Sequence, residues 1–153
     1  YQITGFQLTQ NYNLMGKAVA EAVQNESTDK GPRLFCSKQF YDVISDNECK
    51  QILCPLKNHK DIYEILWPMP HVMEKGINGY KQLLEIGINL WSYFNHEEYG
   101  IHYFKLLELI IKSIMETYKN DQQEMARAKQ TIAEVFNKKS TDIRKVSRLI
   151  EKY

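Results

Sequence analysis

The chain has 153 residues, with 20 Lys and Arg against 19 Asp and Glu, so its formal net charge is +1. That length is one domain's worth, and folding it buries about two-thirds of its surface. The near-zero charge excludes a global basic field for nucleic acid or an anionic membrane, and apolar runs of only a few residues exclude a spanning helix, which needs ~20.

The expectation is a soluble domain in a processed or excised form, because the sequence opens on Tyr1 without a leader. Three cysteines, Cys36, Cys49 and Cys54, are an odd number and too few for a disulfide scaffold. Reduced thiols in an intracellular, cytoplasmic protein are the plain reading. The sequon Asn25-Glu26-Ser27 is the one mark that keeps a secreted origin open.

In chain order, residues 13–24 read as a modest helix with Leu14, Val19, Ala22 and Val23 on its apolar stripe. Residues 25–33 form a polar loop closed by Gly-Pro. Three short apolar pieces follow, with Asp46 and Asn58 as N-caps and Pro55, Pro68 and Pro70 as stops. "FYDVI" (40–44) has strand composition. It lacks an obvious partner strand, so helix or extended loop is expected there. From His71 the spacing of Met73, Ile77, Tyr80, Leu84, Ile88, Trp91 and Phe94 lines one face of a long helix. Asn95 and Glu98 suit a capping box for the next helix, with Tyr99, Tyr103, Leu106, Ile110 and Ile114 facing inward. Asp121 caps a third helix through Met125, Ala128, Ile132 and Val135. Ser140 or Thr141 starts a fourth, with Ile143, Val146, Ile150 and Tyr153 inward. Short connections make such helices antiparallel neighbours.

Leu83, Ile86, Gly87 and Leu90, followed by Gly100 and Phe104, keep the spacing W-x₂-L-G-x₂-Y…A-x₃-F in part, the second pair one residue late. Residues 83–107 thus resemble a tetratricopeptide-type helical hairpin. The resemblance implies two closely approaching helices, with Gly87 and Gly100 at the approach.

Chemistry is sparse. His96 and His102 are six apart, so one helix cannot aim both at a metal, and neither H-E-x-x-H nor Glu-x-x-His occurs. The knot Asn95-His96-Glu97-Glu98 is therefore expected to be a hairpin turn. Cys49, Cys54 and His59, with His71 as a fourth ligand, are a poor match to zinc knuckles, and a buried Cys54 thiol is the simpler account. No phosphate loop or nucleophile elbow is present, so no enzyme, cofactor or metal is expected.

Two surfaces remain as candidate partner-binding features. Trp67, Met69 and Met73 surround two prolines and form an apolar elbow, which either packs over the bundle end or anchors a partner. Residues 137–153 place six cations against Asp142 and Glu151, leaving +4 there and −3 elsewhere. Arg144, Arg148 and Lys152 share a face opposite Ile143, Val146 and Ile150. The expectation is a single all-α domain, with short helices and loops over 1–70 and antiparallel helical hairpins over 71–153. It would serve as a non-enzymatic protein–protein interaction module. The alternatives are binding of nucleic acid or an acidic partner through the basic C-terminal face, or a regulatory domain of a larger enzyme.

Overall fold

A computed structural model describes residues 31–57 and 59–138. The expected helices over 13–24 and from Ser140 or Thr141, the sequon, Asn58, and the basic residues Arg144, Arg148 and Lys152 lie outside the described residues.

Beyond residue 69 the helical pattern holds. Helices α3 (Met69–Phe94) and α4 (Gly100–Tyr118) pack antiparallel through a five-residue turn, and α5 (Gln122–Lys138) follows after three residues and packs on both. Tyr80, Leu84, Ile88 and Trp91 of α3 meet Leu107, Ile110, Ile111 and Ile114 of α4, with Ala128, Ile132, Val135 and Phe136 of α5 in the same core. Gly87 makes the close approach that its smallness suggested. A Cβ there would stand 2.7 Å from Leu107 Cδ2 and 3.2 Å from Ile110 Cδ1. Asp121 caps α5 by accepting from the Gln123 and Glu124 amides, each at 3.0 Å.

Three expectations are corrected. First, the N-terminal part is not all-α. Strands β1 (Leu34–Ser37), β2 (Leu53–Leu56) and β3 (His59–Ile65) form an antiparallel sheet in the order β1-β3-β2. "FYDV" is helical within α1 (Lys38–Val43), capped by Ser37, and Asp46 caps α2 (Asn47–Gln51) as expected. The strand starting at His59 replaces a helix opening after Asn58.

Second, α3 is broken. Gly76 takes φ 56° and ψ −138°, a conformation that side-chain-bearing residues avoid. The kink rotates the preceding turn, so Met69 and Val72 are buried while Met73 is turned outward. Third, Asn95 is not an N-cap. It ends α3, donating from Nδ2 to the Ser92 carbonyl at 2.8 Å, and α4 opens after Tyr99 without a side-chain cap.

The sheet explains why α4 is buried on every side from Leu107 to Met115. Register pairs Phe35 with Glu64 and Cys54 with Glu64, so these three share one face of the sheet. Glu64 on that face meets Lys112 of α4. Leu66, Met69 and Leu109 close the seam, with Ile52 and Cys54 packed against them. On the opposite face Tyr63 stacks on Tyr41 of α1, with ring centroids 4.3 Å apart. The central helix therefore lies between a helical layer and a small sheet.

Candidate functional site: a buried ion cluster and an aromatic tip

The one charged group fully shielded from solvent among the described residues is Glu64, 0% exposed on the middle strand. Its Oε1 accepts from Arg33 Nε and its Oε2 from Lys112 Nζ at 2.8 Å. Burial alone would push this carboxyl up, but the two hydrogen bonds and the two positive charges outweigh it and hold the group below the usual range. Burial likewise opposes the Lys112 ammonium, and Glu64 overcomes that and raises it. The neighbouring Cys54 thiol is raised by burial, with Lys112 pulling the other way. A saturated carboxylate, a held ammonium and a protonated thiol offer no ready base or nucleophile. The cluster ties the sheet to α4.

Sequence reasoning missed Arg33, Glu64 and Lys112, though it expected the buried Cys54 thiol. The signal was there: Glu64 interrupts the apolar run "IYEIL" and Lys112 interrupts "LIIKSIM", each the one charge in its run and of opposite sign. Buried charges come paired.

The second feature is the tip of the α3–α4 hairpin. Phe94 stacks on Tyr103 at 4.7 Å and 16°, Tyr93 meets Phe94 edge-on at 4.7 Å, and Tyr99 closes on Phe94 at 6.4 Å. The turn is tight, since a Cβ on Gly100 would fall 2.9 Å from the Phe94 carbonyl oxygen. Tyr93 is 79% exposed and Tyr99 52% exposed, beside exposed Ile101. His96, Glu97, Glu98 and His102 surround them in solvent. Neither Glu97 nor Glu98 forms an ion pair among the described residues. Tyr99 and Tyr103 were expected to face inward, yet Tyr99 faces out.

The expected elbow is divided. Met69 is 6% exposed and sits in the core with Leu66 and Leu109, which corrects its place among partner-facing residues. Trp67 is 41% exposed, its indole N–H donating to the Pro32 carbonyl at 3.0 Å, and Met73 is 52% exposed. Cys49 lies exposed on α2, its thiol pushed up by the charge of Asp46, while Cys54 and His59 stand on strands. No group of three or more His, Cys, Asp or Glu placed to hold a metal occurs among the described residues. None of the described helices is long and apolar enough to cross a membrane. No protein-family model, curated protein or solved structure matches this chain.

Proposed function

We propose that this chain is a non-enzymatic protein–protein interaction module that meets its partner through the aromatic tip of the α3–α4 hairpin. The observation that carries the reading is the exposure of Tyr93 and Tyr99 on a base of stacked rings. Large aromatics held rigid from below lose little side-chain entropy on binding, and Tyr is enriched at the energetic centre of interfaces. Burying two tyrosines against a partner removes on the order of 300 Å² of ring surface from water. The likeness of residues 83–107 to a tetratricopeptide-type hairpin supports the same class of role, since Gly87 sets the helices close as that pattern requires. Trp67 and Met73 form a second exposed apolar feature on the other side of the Gly76 kink in sequence.

The test is affinity capture on the full chain, compared with Tyr93→Ser/Tyr99→Ser. A partner retained by the parent and lost by the variant, at unchanged helix content and melting temperature, is the expected result. Salt-sensitive binding of the parent to oligonucleotides, abolished by reversing Arg144, Arg148 and Lys152 to Glu, would overturn it in favour of the basic C-terminal face.

A further inference from the structure

The described residues open beside the aromatic tip. Gly31 lies against the first turns of α4: a Cβ on it would stand 2.6 Å from Lys105 Cβ and 3.4 Å from the His102 carbonyl oxygen. Its φ of 106° and its missing side chain allow that approach. Ile101, four residues before Lys105, shares that face of the helix and is 43% exposed. Tyr99 is three residues before His102, at most ~11 Å of chain away. Exposed apolar surface of the tip therefore begins next to Gly31.

Thirty residues precede Gly31. Over 13–24, helical spacing puts Leu14, Met15, Ala18, Val19, Ala22 and Val23 on one half of the wheel. Lys17, Glu21 and Gln24 fall on the other half. A helix of that length is marginal in water alone, so it gains stability by covering its apolar face. The polar residues 25–30 that lead to Gly31 span up to ~20 Å, enough to lay the stripe on Ile101 and Tyr99.

We propose that the apolar face of residues 13–24 docks on Ile101 and Tyr99, occupying part of the aromatic tip, and that an outside partner must displace it. This rests on the tip being the partner surface, and it adds the regulation of that surface. The short tether makes the contact intramolecular, with an effective concentration in the millimolar range. A small apolar contact then suffices for occupancy, and a partner of higher affinity can still exchange with it.

Photo-cross-linking on the full 153-residue chain tests it. The probe is p-benzoylphenylalanine in place of Ile101, which joins only to C–H bonds within reach of its ring. Peptide mass spectrometry of the monomer band should find position 101 joined to residues 13–24. Val19→Ser/Val23→Ser should cut that yield severalfold, and Lys17→Ser, on the other half of the wheel, should leave it unchanged. The same probe in place of Leu34, 53% exposed on β1, is the control and should not capture residues 13–24. Absence of links from position 101, a yield indifferent to Val19→Ser/Val23→Ser, or stronger capture from position 34 would overturn the proposal. Links only in the dimer band would also overturn it, by assigning the face to a second copy. Partner capture scores the interaction reading separately. Links without capture keep the docking and sink that reading, and capture without links does the reverse.

Discussion

Lys112 of α4 and Glu64 of β3 stand 48 residues apart in sequence and meet at 2.8 Å, Nζ donating to Oε2, with both side chains nearly or wholly out of solvent. This contact ties the sheet to α4 beside the apolar seam of Leu66, Met69 and Leu109, and Arg33 holds the other carboxylate oxygen. Glu64→Ala leaves two cations facing a hole. It is expected to cost ~3–5 kcal/mol in denaturant melts, as removal of one partner of a buried ion pair does.

The same cluster sets an acid limit. Glu64 has its carboxyl held below the ordinary value, so the unfolded chain binds its proton more readily than the native one. Its contribution is therefore complete above the unfolded value, about 4.3, and is lost as pH falls through the depressed native value. Glu64→Gln should remove that part of the acid arm, flattening stability against pH below ~4.3. Superimposable acid profiles for parent and variant would mean that Glu64 is not ionised in the folded protein.

Leu107 and Leu106 differ by one position and by which side of α4 they occupy. Leu107 is fully buried against Gly87, whereas Leu106 is only partly covered. Leu107→Ala should cost ~2–5 kcal/mol and Leu106→Ala clearly less. Equal losses would contradict this rotation of the helix.

That one-residue rotation marks how far the sequence could be read. Helices α3 and α5 were legible because Tyr80, Leu84, Ile88 and Trp91, and Ala128, Ile132 and Val135, repeat at helical spacing on one face. On α4 the pattern blurred, since Leu107 to Met115 are buried all round and no single stripe stands out. The cause is the sheet, whose strands gave little signal. β1 and β2 have four residues each, β2 contains Pro55 and a register shift beside it, and β3 carries a charged residue on its buried face. The candidate site was misplaced for a related reason. Periodicity assigns Tyr99 inward, but Tyr99 lies in the turn before α4 begins, where helical spacing does not apply, and it is exposed.

Caps offer a cleaner contrast. Asp121 accepts from two otherwise unpaired amides at the start of α5, while Asn95 merely donates to a carbonyl at the exposed end of α3. Asp121→Ala should cost ~0.5–2 kcal/mol, the range for a lost N-cap. Asn95→Ala should fall within about 0.5 kcal/mol, as exposed surface changes do. A larger effect at Asn95 would restore it as the capping residue of α4.

The two glycines of α3 should respond to alanine for opposite reasons. At Gly87 the backbone is helical and the obstacle is space, because the new methyl would meet Leu107 and Ile110 at 2.7 and 3.2 Å. Overpacking costs ~1–3 kcal/mol, and the gain of up to ~1 kcal/mol from replacing a helical glycine offsets only part of that. A net loss is expected, with Leu107→Ala in the same chain relieving it, since that truncation removes the obstructing methyl. At Gly76 there is nothing within 4 Å of the added atom, and the obstacle is φ 56° itself. Strain of ~1–3 kcal/mol then falls on the backbone, and no truncation of a neighbour should relieve it. Double-mutant cycles read the difference directly: strong coupling between positions 87 and 107, and none between 76 and 107. Coupling at Gly76 of the same size would mean that the kink is set by packing on α4 rather than by the glycine.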